Sequence, residues 1–325
     1  MQALLCTELG PSSRLTIEEV EDPVPGPEHV VVDVAAAGLN FPDTLIIQGK
    51  YQFQPPLPFS PGGEAAGVVS AIGDGVDGVS VGDRVIAMSP YGAFAEKWRV
   101  PASSVIPMPQ GLDLVTAAGF ALTYGTAYHA LKDRAGLRSG ETVLVLGASG
   151  GVGSATIELA RHFGATVIAA ASTAHKLEFC RELGADHLVN YVDESLRERV
   201  RAITGDRGVD VVFDPVGGGF TEAAFRSLGW NGRHLVVGFA DGDIPSLPVN
   251  LALLKGASLV GVFWGRSLKE EPETARSNFV DLARLSGEGV IRPRISQRFA
   301  LEQYEEAFAV FENRTVMGKA VFEIG

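Results

Sequence analysis

The chain has 325 residues, and 27 basic against 39 acidic side chains give a formal charge of −12. That length predicts about two domains with room for a real core, and 46% apolar with 20% charged residues excludes a disordered chain. The acidic balance argues against a broad nucleic-acid or anionic-membrane surface, since both need local positive potential.

The first third reads as β-rich and irregular. Residues 30–37 (VVVDVAAA), 65–72 (AAGVVSAI) and 84–88 (RVIAM) are short β-prone runs bounded by Gly, Pro and Asp. Pro23, Pro25, Pro27, Pro42, Pro55, Pro56, Pro58 and Pro61 break up the intervening segments, and proline favours loops there over long helices. Gly82-Asp83 has turn chemistry. In the middle of the chain the period changes. A buried-type strand at 142–147 (TVLVLG) precedes helical spacing over 153–164, where Ile157, Leu159, Ala160 and Phe163 form an apolar face and Gly164 is the stop. Strand 166–171, helix 174–184, strand 187–190, helix 194–204, strand 209–214, helix 219–229 and strand 233–238 follow in turn. Such alternation predicts an α/β fold with a parallel, doubly wound sheet covered on both faces. The tail, from about 256, has a β-prone stretch (ASLVGVFW) and helices near 274–286 and 301–312.

After the strand at 142–147 comes Gly147-Ala148-Ser149-Gly150-Gly151-Val152-Gly153. This is a dinucleotide fingerprint with Ala148 in the first glycine position. Gly150 lets the backbone approach a pyrophosphate, and Gly153 lets the helix pack on the strand. The helix N-terminus then offers unpaired N–H groups and partial positive charge to phosphates. An NAD site usually places an acid at the end of the second strand, for the ribose 2′-OH. Here that stretch is Ala171-Ser172-Thr173-Ala174-His175-Lys176, with no carboxylate. Ser172 can hydrogen-bond and Lys176 can pair with a 2′-phosphate, which favours NADPH over NADH; the alternative is a solvated helix lysine. Tyr191, after the third strand, can add a hydroxyl to the same phosphate.

At this point the chain resembles the medium-chain dehydrogenase/reductase superfamily, in its zinc-independent NADPH:quinone oxidoreductase branch. The resemblance runs from end to end. It is carried by Gly38-Leu39-Asn40-Phe41-Pro42-Asp43, Gly49-Lys50-Tyr51, Pro61-Gly62-Gly63-Glu64-Ala65-Ala66-Gly67, Gly82-Asp83-Arg84-Val85, Gly92-Ala93-Phe94-Ala95-Glu96, Thr126-Ala127-Tyr128-His129-Ala130-Leu131, the glycine loop, Asp214-Pro215-Val216-Gly217-Gly218 and Gly318-Lys319. It implies a GroES-like β-rich catalytic domain from residues 1–122 and 262–325, around a Rossmann NADPH-binding domain of residues 123–261. A homodimer joined near the strand at 258–264 is also implied. The positions matching the zinc ligands of alcohol dehydrogenase relatives are Asn40, Gly63 and Leu122. None offers a thiolate or imidazole, and neither cysteine lies in a metal-spaced cluster.

A metal-free site with NADPH suits acceptors that are already polarised: quinones, and alkenes conjugated to a carbonyl. Holding the reacting carbons about 3–3.5 Å apart supplies most of the acceleration, and the cofactor carries the hard chemistry. By resemblance, Asn40, Asp43 and Tyr51 lie near the nicotinamide, with Thr126 beneath it. Asn40 or Tyr51 is then the oxyanion donor, while Asp43 reads equally as a buried structural acid and Glu64 as a brace for its loop. The resemblance puts Phe239, Phe263 and Trp264 around the nicotinamide, against an ordinary core role, and has Gly318 and Lys319 close the site, with Lys319 reaching the cofactor. Two other functions stay open. An enoyl-thioester reductase needs a basic groove for carrier phosphates, with Arg226, Arg233, Lys255 and Arg266 as candidates. A non-catalytic NADPH- or RNA-binding protein is opposed by the negative charge and the intact Asn40, Tyr51 and Thr126.

The opening residues lack a basic leader ahead of an apolar core, unlike a signal peptide. No apolar run approaches the roughly 20 residues that span a bilayer. Cys6 and Cys180 are too few for a disulfide framework and suit a reducing compartment. The expectation is a cytoplasmic enzyme acting on a small molecule, with no nucleic-acid or membrane partner.

Overall fold

Two stretches far apart in sequence, Met1–Leu122 and Ala283–Gly325, fold together as one unit in a computed structural model describing residues Met1–Gly325; Thr123–Leu282 between them form a second. The first unit is organised by the strand His29–Leu39, whose β-branched start (Val30, Val31, Val32) suits a buried sheet position. It pairs antiparallel with three partners: Glu64–Ile72 along most of its length, Lys97–Pro101 at its start, and Lys319–Glu323 at its end. Arg84–Met88 and Val105–Pro107 extend the sheet on one side, and Ile295–Ala300 lies parallel to Lys319–Glu323 on the other. The tail contributes buried side chains to the same core: Phe322 of Lys319–Glu323 meets Phe94 edge-on at 4.8 Å between ring centroids, and Phe308, on the helix Tyr304–Glu312, lies 6.4 Å from Phe94. The last four residues of His29–Leu39, Ala36–Leu39, thus lie beside Ala320–Glu323, with Leu39 in register with Ala320.

The second unit is a six-stranded parallel sheet in the order His187–Asn190, Thr166–Ala171, Thr142–Val145, Val209–Asp214, Leu228–Val236, Ser258–Gly261. This is the doubly wound arrangement, reversing between Thr142–Val145 and Val209–Asp214, where the glycine loop leaves the sheet. The alternation of strands and helices read from sequence is present, with shifted limits. The helix expected over 219–229 stops at Arg226, because Leu228 is buried and already pairs with Val209 in the next strand. That strand ends at Val236, where Val237 N–H turns to Asp214 O (2.9 Å). The stretch ASLVGVFW divides: Ser258–Gly261 is the edge strand, and Trp264 opens a helix to Glu270.

The second unit runs past the expected 261/262 limit to Leu282, because side chains tie the helix Pro272–Gly287 to the segment after Ala121–Tyr128. Tyr128 Oη donates to Asp281 (2.8 Å), Lys132 Nζ to Asp281 (3.0 Å) and Asn278 (3.1 Å), and Asn278 Nδ2 to Asp133 (2.7 Å). No helix is long and apolar enough to cross a membrane. Cys6 and Cys180 are unpaired and fully buried, and burial pushes the Cys180 thiol up to about 12.

Candidate active site

In the first unit, the chain leaves the strand His29–Leu39 at Asn40, which precedes the short helix Phe41–Ile46. Beneath this corner lies a closed polar cluster. Lys319 Nζ donates to Glu64 Oε1 (2.7 Å), Asn40 Oδ1 (2.6 Å) and Leu39 O (3.3 Å). Asn40 Nδ2 donates to Gly38 O and to Glu64 Oε1, both at 3.1 Å, and Glu64 Oε2 accepts from Leu122 N–H (2.9 Å). Gly38 makes the approach possible, since a Cβ there would fall 2.3 Å from Ala118 O and 2.7 Å from Glu64 Oε1.

An ammonium has three donors and an amide nitrogen two, so within this cluster all the donors of Lys319 and Asn40 are engaged. Here Lys319 is the buried counter-ion of Glu64, and Asn40 brackets the pair. Gly318 serves the same strand entry: its φ of 63° and a Cβ that would lie 2.2 Å from Arg294 O leave room only for glycine. Glu64 is more central than sequence reasoning allowed. The available signal was a carboxylate opening an otherwise apolar strand, Glu64-Ala65-Ala66-Gly67-Val68-Val69.

The positions matching zinc ligands in metal-dependent relatives converge here too. Gly63, lacking a side chain, faces Leu122 Cδ1 (3.9 Å from an ideal Cβ), and Asn40 is held by Lys319. An amide, a hydrogen and an isobutyl group do not make a zinc donor set. No three His, Cys, Asp or Glu side chains converge elsewhere to make one.

In the second unit, the glycine loop forms a backbone cradle at the C-terminal edge of the sheet. Ala148 N–H donates to Ala170 O (3.1 Å), Gly150 N–H to Gly147 O (3.0 Å), and Gly150 caps the helix Gly151–His162. A Cβ on Gly153 would lie 2.4 Å from Gly147 O and 2.8 Å from two Ala148 backbone atoms, so the helix meets the strand only with glycine there. Ala148 and Ser149 are buried, and Gly151 and Val152 are half-buried at the first helical turn, whose free N–H groups suit a pyrophosphate. Ser172 and Lys176 meet after the end of the neighbouring strand Thr166–Ala171, and Tyr191 follows the strand beside it. Lys176 Nζ lies 3.5 Å from Ser172 Oγ, Thr173 caps the helix carrying Lys176, and Tyr191 N–H donates to Ala171 O (3.3 Å) while its ring packs on Phe220. Residues and backbone therefore fit a phosphorylated dinucleotide.

Thr126 is buried on the helix Ala121–Tyr128, beside Gly125, whose missing Cβ is replaced by the Trp264 ring. Trp264 also meets Phe279 edge-on at 6.2 Å, so it packs inside this unit. Phe239 leans on Gly217, and Phe263 is exposed ahead of its helix. The four basic candidates for a carrier-phosphate groove are engaged separately. Arg233 makes a bidentate pair with Glu141 (2.8 Å for each contact), Arg226 pairs with Glu222 (2.7 Å) and Arg266 with Glu270 (3.3 Å). Lys255 lies near Arg226 and Arg197 but donates to Leu228 O (2.6 Å), at the edge of the sheet opposite the glycine loop.

Asp43 and Tyr51 complete the first unit's site. Asp43 is buried, and its Oδ2 accepts from Asn40 N–H (2.7 Å). Burial pushes its carboxyl up to about 7, against the opposing pull of the Asn40 N–H and the Lys319 charge. Tyr51 is partly buried against the core; burial and the nearby Asp43 charge raise its pKa. Because Asp43 holds its proton more tightly in the folded chain, the fold binds more protons than the unfolded chain between about pH 4 and 7. Stability therefore falls as pH rises through that window, by roughly 4 kcal/mol. Asp43→Asn keeps an acceptor for Asn40 N–H and removes the titration. Its urea-unfolding free energy should gain on the native chain as pH rises from 5 to 8, and a constant difference would contradict the assignment.

Two family models match the chain, the alcohol dehydrogenase GroES-like domain over residues 26–110 and the zinc-binding dehydrogenase over residues 151–281. The rat protein named quinone oxidoreductase-like protein 2 is 40% identical over 324 residues, 99% of this chain and 92% of that protein. Among solved structures, a probable oxidoreductase from Mycobacterium abscessus shares 40% identity at a TM-score of 0.90, covering 99% of this chain and 98% of that one. The Escherichia coli quinone oxidoreductase complexed with NADPH shares 28% identity at a TM-score of 0.92, covering 99% of this chain and all of the other. With likeness of this extent through both units, the chain belongs to the medium-chain dehydrogenase/reductase superfamily, in its quinone oxidoreductase branch.

Proposed function

We propose that this chain is a metal-independent, NADPH-dependent reductase of quinones or of alkenes conjugated to a carbonyl. The observation that carries the reading is the donor set at Asn40, Gly63 and Leu122, gathered around a buried Glu64–Lys319 ion pair. Without a Lewis acid, the acceptors that fit are those whose own conjugation delocalises the charge that develops. The NADPH-complexed relative and the cradle at Ala148–Gly153 support the cofactor. When bound, the reduced nicotinamide supplies a hydride.

The chain's part is to hold the cofactor and to manage the oxygen that becomes negative. The Ala148–Gly153 backbone takes the pyrophosphate, and Ser172, Lys176 and Tyr191 take the 2′-phosphate. Phe239 and Thr126 flank the nicotinamide in this reading. Tyr51 is the oxyanion donor: hydrogen bonds within the cluster occupy Asn40, whereas burial and the Asp43 charge alone perturb the Tyr51 hydroxyl. With its pKa raised, Tyr51 stays protonated at neutral pH and acts as a donor, not a base.

The chain works as a homodimer. The strand Ser258–Gly261 ends the sheet with one edge unpaired, and Trp230, Leu253, Leu254 and Leu259 are exposed on the elements around it. Exposed apolar groups beside an open edge favour pairing with a second copy. Buried, unpaired thiols fit a cytoplasmic setting, and a charge of −12 fits a small-molecule substrate better than nucleic acid.

Three measurements test this. NADPH oxidation with a panel of quinones, enones and enoyl-thioesters should proceed with the first two in the presence of EDTA, and Tyr51→Phe should lower kcat about a hundredfold; no turnover of any acceptor would refute the activity. Lys176→Ala should weaken NADPH about tenfold and leave NADH unaffected, whereas equal losses would exclude a 2′-phosphate contact. Light scattering should give a mass about twice 34.3 kDa, reduced to the monomer by Leu259→Lys; a native monomer at all concentrations would exclude the dimer.

A further inference from the structure

Asp214 lies at the end of the strand Val209–Asp214, almost wholly buried, with all its acceptor capacity used. Oδ1 accepts from Val216 N–H (2.9 Å) and Gly217 N–H (2.8 Å), while Oδ2 accepts from Thr221 Oγ1 (2.7 Å) and meets His234 Nε2 (3.1 Å). Burial alone would raise the Asp214 pKa, but these donors hold the carboxyl below the usual carboxylate range. His234 is fully buried on the adjacent strand, and its other ring nitrogen, Nδ1, has no partner. A buried orphan nitrogen is unfavourable, and an apolar ring would avoid it. The Nε2 contact with Asp214 is what the imidazole offers in return.

The turn that Asp214 holds, Pro215–Gly218, touches the dinucleotide cradle on one side and the Phe239 loop on the other. Toward the cradle, Val216 Cγ2 lies 2.9 Å from where a Gly147 Cβ would be. On the far side, Pro215 O accepts from Ala240 N–H (3.1 Å), Val216 O from Asp241 N–H (2.9 Å), and Gly218 N–H donates to Asp243 O (3.1 Å). Gly217 and Gly218 both have positive φ, at 71° and 57°, and Gly217 gives way to the Phe239 ring.

We propose that Asp214, His234 and Thr221 form a positioning latch that sets dinucleotide affinity by fixing the turn Pro215–Gly218 between the glycine loop and the Phe239 loop. The proposal rests on the NADPH reading. Neither Asp214 nor His234 reaches the cofactor; both act through the backbone of the turn. Loosening the latch lets the Val216 side of the cradle and the Phe239 side move independently, which weakens binding while leaving the bound complex competent.

Fluorescence titration of NADPH gives both Kd and the number of sites, separating affinity from the folded fraction. His234→Phe fills the space without a donor and should raise Kd about tenfold, the size of one lost buried hydrogen bond. His234→Gln can restore the donor to Asp214 and should stay within about threefold of the native value on the same scale. Thr221→Val removes the other side-chain donor and supplies the readout if His234→Phe does not fold. At saturating NADPH, kcat should change less than about twofold in each, as for loss of uniform binding. If His234→Phe, or Thr221→Val in its place, binds as tightly as the native chain, or His234→Gln binds as weakly as His234→Phe, the latch is refuted. If the native chain itself does not bind NADPH, the cofactor reading falls instead.

Discussion

A carboxylate and an ammonium kept out of water together, Glu64 and Lys319, set the terms for the first unit's site. Taking two ions out of water costs several kcal/mol each, and the pair stands only if its remaining lone pairs and protons are matched. Here they are, by Asn40, Leu39 O and Leu122 N–H. Losing either partner alone would strand a buried charge, on the order of 3–5 kcal/mol. The arrangement makes the end of the chain part of the site, because Lys319 arrives on a strand in register with Ala36–Leu39. Beside this fixed pair, Asp43 is the group whose charge can change near neutrality.

The second unit solves a different problem with different materials. Its cradle is mostly backbone, made by the absence of side chains at Gly150 and Gly153, and a saturated carboxylate at Asp214 holds the turn beside it. Side-chain chemistry enters at the rim, where Ser172 and Lys176 converge. One unit thus confers recognition by backbone dipoles, and the other holds polar side chains in a single low-dielectric arrangement.

Much of this was legible from residues in order. The alternation of apolar strands with helices of 3.6-residue period located the parallel sheet, and the glycine loop located its cradle, because both signals are local. Lys176 and Ser172 were legible for the same reason, being four residues apart across the start of one helix. Lys319 was not. A lysine in a short tail strand reads as a free charge until Leu39, 280 residues away along the chain, is seen to accept from it. The end of the helix at Arg226 was missed because Leu228 and Trp230 continue an apolar pattern, and only pairing with Val209 turns that segment into strand. His234 gave no signal, since one histidine in a strand looks the same whether it packs or holds an acid.

The two cysteines carry a consequence for the proposed reduction of electron-poor alkenes. Such molecules are Michael acceptors, and thiolates are the side chains they alkylate most readily. Cys6 and Cys180 are both sealed in the core, and the Cys180 thiol is pushed up to about 12. The native surface therefore presents no cysteine thiol to an acceptor of the proposed class, and a folded chain is protected from alkylation at sulfur by such a molecule.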